Sequence, residues 1–192
     1  MNLSFSSDVK VKRAFTHKLA DISNGVSLQM SELGGSVVAE GTAVGKGSDD
    51  LFHVIKTAKL TAPASSSATT YVVAKGHHFR VGDVIMAKTA GKAYPITAIA
   101  TNASDSTSDD ITVGTTLGVS LAVGDGIIEA KQEAASASAF KYTPVGLTGE
   151  AYEVNAAMNN DVNVVTIGQV HEALIPSAPD SVKAALKGII FI

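Results

Sequence analysis

The adjacent pair His77-His78 is the part of this sequence whose residue types come closest to a metal site. Histidine is a common zinc ligand, but consecutive side chains on a β-strand point to opposite faces, so the two rings cannot bind one ion from a regular strand. The chain has no cysteine, and His53, His171 and the carboxylates stand at no recognisable metal-ligand spacing. We therefore expect neither a metal ion nor a cofactor.

Two loops contain fragments of ligand-binding motifs. The segment 41–47 includes a Gly-Lys pair, but a phosphate-binding P-loop needs four residues between its glycines and a hydroxyl residue after the lysine. Here three residues separate Gly41 from Gly45, and Gly47 follows the lysine. The loop 102–110 has three carboxylates but lacks the mid-loop glycine and terminal glutamate of an EF-hand. We interpret the first segment as a glycine-rich connection and the second as a solvated turn.

The sequence shows none of the arrangements that enzymes commonly use. Catalysis generally requires a nucleophile with a base, paired carboxylates, a metal set or a cofactor-binding loop. No such set has diagnostic spacing here, and the Gly-x-Ser-x-Gly pattern of many hydrolases is absent. We predict that the protein is not an enzyme.

Composition argues against several classes of partner. The chain has 15 Lys and Arg against 18 Asp and Glu, so no net positive charge attracts nucleic acid or an anionic membrane. No apolar run approaches the roughly 20 residues of a membrane-spanning helix. Hydrophobic residues form 45% of the chain but aromatic residues only 5%, which favours thin β-layers packed with small aliphatic side chains. The lack of cysteine fits folding in a reducing cytoplasm.

The segment 72–130 has the most regular pattern in the chain. Short β-branched and aromatic runs alternate with clusters of Gly, Asn, Asp and Ser, which predicts several short antiparallel strands. The triplet Val-Gly-Asp occurs twice, at 81–83 and 123–125, and an isoleucine follows each within two residues. Glycine supplies a positive φ and aspartate a side-chain hydrogen bond to the backbone, so each triplet predicts a tight turn into a strand. We expect a small β-barrel or β-roll.

Two small-residue segments, 62–70 and 133–139, bracket this β unit. Such composition is typical of linkers, so we predict that the barrel is inserted into another unit. On this interpretation residues 61–134 form the barrel, and residues 1–60 and 135–192 together form a second β-rich body. The predicted fold class is mainly β with one short C-terminal helix.

The N-terminal segment begins polar and then becomes locally basic. Val9 and Val11 alternate with lysines, which is compatible with an edge strand or an extended arm. After it, Phe15, Leu19 and Ile22 have helical spacing, so we predict a short helix there.

The C-terminal part carries the other predicted elements. We expect a strand at 161–168 and a helix at 181–187, with Ser177 or Asp180 as the N-cap and a glycine after the helix. The chain ends in the apolar run 188–192. An apolar tail is unfavourable in water, so this run predicts a strand paired in a sheet or an interface.

Several short segments spread over nearly the whole chain carry a resemblance to a known family, with the barrel as the variable insert. They resemble the head fiber and capsid-decoration proteins of tailed bacteriophages, including phages of gut Bacteroidetes. The segments are Leu3-Ser4-Phe5-Ser6, then 20–28 running into Gly34-Gly35, then 147–152, 168–173 and 182–187.

The resemblance implies a virion protein on the capsid exterior that is made in the host bacterial cytoplasm. Members commonly form trimers and bind the major capsid protein, with other head proteins as further candidate partners, and the family has no catalytic residues to carry over. A chain of 192 residues leaves no room for a long fibrous repeat, so decoration or auxiliary capsid protein fits better than an extended fiber.

A capsid-binding protein needs a complementary surface, and the two ends of the chain have the composition for one. We expect the inserted barrel to face solvent. The predicted capsid or subunit contacts are Val9, Lys10, Val11, Lys12, Arg13 and Phe15 in the arm and Ile189, Ile190, Phe191 and Ile192 in the tail.

Two other functions remain open from the sequence. A module that adheres to host glycans would use Tyr71, Tyr94 or the His77-His78 pair, although the chain is poor in aromatic residues. A hydrolase or self-processing enzyme is the third alternative, since residues 76–85 resemble the β-roll of self-splicing Hint domains. Those domains need a nucleophile and an asparagine at the splice junctions, and no such frame can be placed here.

Overall fold

A computed structural model describes residues 13–192, and most of its regular structure is β-strand. The predicted fold class is confirmed: the protein is mainly β, with a curled half-barrel sheet and one short C-terminal helix. In chain order the elements are β1 Phe15–Asp21, β2 Val26–Leu28, β3 Val37–Val38, β4 Ala43–Lys46, β5 Phe52–Val54, β6 Thr57–Lys59, β7 Thr70–Ala74, β8 Val84–Met86, β9 Ala93–Thr101, β10 Ser108–Val113, β11 Gly126–Glu129, β12 Pro144–Thr148, β13 Tyr152–Glu153, β14 Asn160–Val162, β15 Val164–Val170, a 3-10 helix Glu172–Leu174, α1 Asp180–Ala185 and β16 Ile189–Phe191.

Strands from both ends of the chain form the first sheet. Its order is β1-β15-β12-β4-β5-β2-β14, and β16 also pairs with β15. Strand β15 lies between β1 on one edge and both β12 and β16 on the other. The predicted terminal strand is confirmed, because β16 runs parallel to β15. A separate pair, β3 with β13, completes this half of the molecule.

The short helix predicted near residue 15 is wrong, because residues 15–21 form strand β1. The strand pairs antiparallel with β15 and has register shifts at three places. Each shift breaks the alternation of inward and outward side chains that identifies a strand in a sequence. Phe15 is buried and Leu19 is exposed, so these two residues do not share one buried face, although their spacing suggested one.

The second sheet, here called the barrel sheet, has the order β6-β11-β8-β9-β10-β7. It curls until its end strands meet at one bridge, Leu60 to Val73, and the Thr61 amide donates to the Val72 carbonyl at 3.0 Å. Aliphatic side chains together with Tyr71 and Phe79 fill its interior, and the aliphatic ones include Ile85, Ile96, Ile111 and Ile127.

Both Val-Gly-Asp triplets form the predicted turn, and the two turns have the same geometry. Gly82 and Gly124 have φ values of 96° and 97°, which favour glycine. The Asp83 carboxylate accepts the Arg80 amide at 2.8 Å, and the Asp125 carboxylate accepts the Ala122 amide at 2.8 Å. Each turn leads into a central strand of the barrel sheet, β8 or β11.

The strands beside the two turns repeat the same hydrogen bonds. The Gly82 amide donates to the Ile96 carbonyl at 2.9 Å, and the Ile96 amide returns a bond to Asp83 at 2.8 Å. Leu60 has the same exchange with Gly124 and Asp125, also at 2.9 and 2.8 Å. The repeated triplet therefore marks a repeated structural unit, in which β8 with β9 corresponds to β11 with β6.

One hydrophobic cluster joins the two sheets. It contains Met86 and Ile128 of the barrel sheet together with Leu147, Val165 and Val182. Strand β6 at residues 57–59 belongs to the barrel sheet although it precedes the boundary expected at residue 61. The division of the chain into an inserted unit and a surrounding body stays a prediction.

The expected linker at 133–139 forms no regular strand or helix, but bridges attach its surroundings to the fold. Ala134 bridges to Ala93, and Phe140 bridges to Ala130.

The predicted C-terminal helix is confirmed as α1, but the predicted N-cap residue, Ser177 or Asp180, is wrong. Pro179 is the N-cap residue, and no side chain caps the helix.

Candidate interaction surface

Exposed aliphatic side chains lie on the strands that carry the two ends of the described chain. Leu19 on β1 is 74% exposed, Ile167 on β15 is 48% exposed and Ile190 on β16 is 63% exposed. Ile192, directly after β16, is also exposed. Single exposed aliphatic residues are common, but several on adjacent strands mark a surface suited to a partner. We call Leu19, Ile167, Ile190 and Ile192 the terminal-strand surface.

Strand register explains how these residues come together. Ile190 pairs with Gln169, which lies two residues from Ile167 on β15, so Ile167 and Ile190 share a face. Leu19 lies in the bulge between the pairs Lys18 to Gly168 and Ala20 to Ile167. The register therefore places Ile167 and Ile190 on one face of neighbouring strands, and Leu19 is exposed on β1, the strand at the other edge of β15.

A close approach of the chain positions β16 beside β15. A Cβ atom at Gly188 would overlap the Thr166 carbonyl oxygen and lie 3.3 Å from Ile167 Cγ1. Only glycine allows the turn after α1 to pass this near to β15. The Val182 and Leu186 side chains on and after α1 are buried beneath the turn, so the helix supports β16 from inside.

The predicted contact residues have different positions in the structure. Val9, Lys10, Val11 and Lys12 lie outside the described residues. Arg13 is exposed two positions before the first residue of β1, while the Phe15 side chain is buried in the core.

In the tail, the side chains alternate between the core and the surface. Ile189 is buried, Phe191 is half-buried, and Ile190 and Ile192 are exposed. Leu19 and Ile167 were missed by the sequence analysis. An aliphatic residue within a strand pattern predicts burial, and nothing local distinguishes these two from core positions.

Two lysines beside the terminal-strand surface are paired with carboxylates. Lys18 Nζ lies 3.7 Å from Glu40 and 5.0 Å from the centroid of the Phe15 ring. Lys183 Nζ lies 2.8 Å from Glu172. The hydrogen bond from Lys183 to Glu172 is the main cause that raises the pKa of Lys183. Exposed pairs of this kind contribute little to stability, but they leave the aliphatic groups as the distinctive feature of the surface.

Inside the molecule, ionisable side chains form a continuous network that connects the two sheets. Lys56 Nζ lies 2.8 Å from Asp83 Oδ2 and 3.5 Å from Glu129 Oε1. Lys141 Nζ contacts the same Glu129 oxygen at 2.8 Å and lies 3.4 Å from Glu32. We call this chain of contacts, with the buried His53 and its exposed partner Asp49 described next, the buried charge network.

The network continues from Glu32 to the histidine on β5. His53 Nδ1 lies 2.8 Å from Glu32 Oε1, and His53 Nε2 lies 3.0 Å from Asp49 Oδ1. Each ring nitrogen of His53 therefore lies within hydrogen-bonding distance of a different carboxylate. The Tyr142 ring stacks on it with centroids 4.0 Å apart.

Burial and the neighbouring charges shift several pKa values in the network. Burial raises the pKa of Glu129, against the opposing effect of Lys56 and Lys141. Burial acts to lower the pKa of Lys141, but the Glu129 hydrogen bond and charge outweigh it and raise the pKa. Burial and the nearby Glu32 charge raise the pKa of Tyr142 to about 12, and the His53 hydrogen bond lowers the pKa of Asp49.

The His77-His78 pair lies in the loop between β7 and β8, so the premise that it occupies a strand is wrong. His78 is buried, and burial together with the Lys56 charge lowers its pKa to about 4. His77 Nε2 lies 3.5 Å from Asp109. Within residues 13–192, no group of three or more His, Asp or Glu side chains is arranged to hold a metal ion.

The loop at 102–110 uses its carboxylates for its own turn. Asp105 accepts hydrogen bonds from the Ser108 hydroxyl and from the Thr107 hydroxyl and amide, and these bonds, the Ser108 bond foremost, lower the pKa of Asp105 to about 2. Asp110 accepts a bond from Asn102 at 2.7 Å. The carboxylates therefore have separate partners and do not converge on one point.

The residues considered for glycan binding are mostly inaccessible. Tyr71 is fully buried, and its hydroxyl donates to the Ala68 carbonyl at 3.0 Å. His78 is also buried, and Tyr94 is half-buried against the barrel core. The expected use of Tyr71 and His78 as sugar-stacking groups is wrong, because a sugar cannot reach either ring.

A groove of about 700 Å³ lies between the barrel sheet and the segment that leads into α1. Its charged lining includes Lys59 and Lys88 together with Asp125, Glu172 and Asp180. Because both signs are represented, the lining charge does not select one class of ligand. The second Val-Gly-Asp turn forms part of this wall.

No helix within residues 13–192 has the length and apolar character needed to cross a lipid bilayer. Comparison of the chain with protein-family models, curated proteins and solved structures finds no match.

Proposed function

We propose that the protein is a structural virion protein that decorates the exterior of a tailed-bacteriophage capsid. In this proposal it binds the major capsid protein through the terminal-strand surface, as a homotrimer, and the barrel sheet faces solvent. The segments that resemble head fiber and decoration proteins support the class of function. The structure adds a surface through which such a protein could attach.

The observation that carries the proposal is the exposed aliphatic cluster of Leu19, Ile167, Ile190 and Ile192. Hydrophobic contacts at the centre of an interface supply much of the binding energy, and the paired charges around this cluster resemble a polar rim. Three neighbouring strands hold the cluster, so a partner would meet a preformed surface.

Strand β1 adds a second feature to the same surface. It is the last strand at one end of the first sheet, so within the described residues its outer edge has no strand partner. Unpaired edge groups readily accept an extended segment from another chain. Residues 1–12, which include the predicted basic contacts, precede β1 in the chain and lie outside the described residues.

Sedimentation of the full chain with capsids that lack it tests the proposal, with the oligomeric mass measured on the free protein. We expect saturable co-sedimentation at a fixed ratio to major capsid protein, from a trimer. A monomer that stays in the supernatant at every capsid concentration would contradict the proposal.

Removal of residues 1–12 gives a separate test of the arm. This truncation leaves every strand of the described fold in the chain. We expect weaker capsid binding with unchanged thermal unfolding, because in this proposal the arm serves as a capsid contact and the described core is retained. Unchanged binding would remove the arm from the proposed interface and leave the terminal-strand surface alone.

A further inference from the structure

Lys56 occupies an unusual position for a lysine. It lies between β5 and β6, its side chain is 1% exposed, and Nζ is 2.8 Å from Asp83 Oδ2. The Asp83 carboxylate is held in place by the first Val-Gly-Asp turn, where Oδ2 also accepts the Arg80 amide at 2.8 Å. An amine and a carboxyl group are therefore fixed in contact, and little solvent reaches the amine.

A second carboxyl group lies beside this pair. Glu129 on β11 is 2% exposed, and its Oε1 is 3.5 Å from Lys56 Nζ. Its other oxygen, Oε2, is buried and has no hydrogen-bond partner within the described residues. Burial raises the pKa of Glu129, which favours its carrying a proton at the moment one is needed.

We propose that Lys56 and Asp83 join covalently through a side-chain amide bond, and that Glu129 transfers the protons of this reaction. The reaction occurs once in each folded chain. It requires no cofactor, because an amine, a carboxyl group and a proton carrier are all present.

The atoms and electrons balance without an oxidant or a reductant. Lys56 Nζ gives one proton to Glu129, and its freed electron pair attacks Cγ of Asp83. The new N–C bond forms as the carbonyl electron pair moves onto Oδ2, where the Arg80 amide stabilises the negative charge. Glu129 returns the proton to Oδ1, a second Nζ proton follows, and the C–O bond breaks to release one water molecule.

The bond would connect the start of the barrel sheet to the turn before β8. Lys56 and Asp83 are 27 positions apart, so the link closes a loop of the chain. Closing such a loop restricts the unfolded state, as a disulfide does in a chain that has cysteine. The proposal does not depend on the capsid-binding function.

Other amine and carboxyl pairs offer a built-in comparison. Lys141 contacts Glu129 at 2.8 Å, but its side chain is 30% exposed. The equivalent aspartate of the second turn, Asp125, is exposed and forms no ion pair within the described residues. A link at either position would point to a different mechanism.

The test is the intact mass of the denatured full-length protein, followed by proteolysis and sequencing of the peptides by mass spectrometry. We expect a mass lower than that of the sequence by one water, and a branched peptide that joins Lys56 to Asp83. Recovery of both residues in linear peptides, with the full sequence mass, would overturn the proposal. A branch at Lys141 or Asp125 would overturn it equally.

Variants assign the roles of the three groups. Lys56→Arg keeps the positive charge but should give the full sequence mass, and Asp83→Ala should do the same. Asp125→Ala is the matched control and should retain the branched peptide. Glu129→Gln should show at least about a tenfold slower loss of water, as expected when a proton-transfer group is removed. Unchanged formation of the link in folded Glu129→Gln protein would overturn the role of Glu129.

Discussion

The two Val-Gly-Asp turns have the same backbone and different surroundings. In both, the aspartate accepts the amide three residues before it, at 2.8 Å. Asp83 also contacts the buried Lys56 and belongs to the buried charge network, whereas Asp125 lies exposed beside the groove. A short motif therefore determines the turn, and residues distant in sequence determine what its carboxylate contacts.

The two turns should differ most in how much the free energy of unfolding falls when the aspartate is replaced. Asp83→Ala should lower the free energy of unfolding by about 3–5 kcal/mol or more, because it removes the proposed link to Lys56 and leaves the buried Lys56 amine without its nearest partner. Asp125→Ala should cost about 1 kcal/mol, because it loses one exposed hydrogen bond. Urea unfolding of both variants measures the difference. Equal losses would show that the network adds nothing to the turn.

Acid should lower the free energy of unfolding through a buried histidine near the first turn. His78 lies near this turn, and its pKa of about 4 is below the ordinary value of 6.5. Between these pH values the unfolded chain binds a proton that the folded chain does not, so the free energy of unfolding falls as the pH falls. The full effect is about 3 kcal/mol, at about 1.4 kcal/mol for each unit of pKa shift.

Unfolding of the wild type and of His78→Gln between pH 7 and pH 4 measures this effect. The variant should lose a large part of the pH dependence in that range, while His77, whose pKa burial also lowers, contributes in the same direction. His17→Gln is the matched control, because His17 is exposed on β1. If His78→Gln keeps the wild-type slope, another group causes the acid sensitivity.

Replacing the glycine of either turn with alanine should lower the free energy of unfolding by the same amount. Gly82→Ala and Gly124→Ala should each cost about 1–2 kcal/mol, because both positions have a positive φ that alanine rarely adopts. No atom lies near enough to obstruct either Cβ. Matched losses in thermal or urea unfolding would confirm that the cost is local. A much larger loss at Gly82 would show that the network strains the backbone.

The smallest effect is expected at the valines. Val81 and Val123 are similarly exposed, at 61% and 62%. Val81→Ser and Val123→Ser should each change the free energy of unfolding by less than about 0.5 kcal/mol, as surface substitutions usually do. A loss above 1 kcal/mol in urea unfolding at only one of them would reveal a contact that solvent exposure does not show.

Local patterns were enough to predict the features that depend on neighbouring residues. The glycine and aspartate of each triplet predicted both turns, and the apolar residues 188–192 predicted a paired terminal strand. The helix α1 was predicted, but its cap was not, because Pro179 occupies the capping position and supplies no side-chain bond.

Features that depend on distant residues were not predicted. Strand β1 resembles a helix in sequence because bulges against β15 disrupt its alternation. Lys56, Asp83 and Glu129 stand on separate elements, so no spacing brings them together before the barrel sheet forms. The exposed Leu19 and Ile167 look like core residues, since burial depends on which face of the sheet is covered.

The central functional claim is that the terminal-strand surface, and not the barrel sheet, binds the capsid. Ile190 and Val123 allow a direct comparison, because their exposures are 63% and 62%, and Ile190 lies on β16 of the first sheet whereas Val123 lies in the turn before β11 of the barrel sheet. The measurement is capsid co-sedimentation of Ile190→Asp and Val123→Asp, after unfolding experiments show that both are folded. We predict at least about a tenfold loss of affinity for Ile190→Asp and wild-type affinity for Val123→Asp. Equal binding by the two variants, or a loss only in Val123→Asp, would contradict the account.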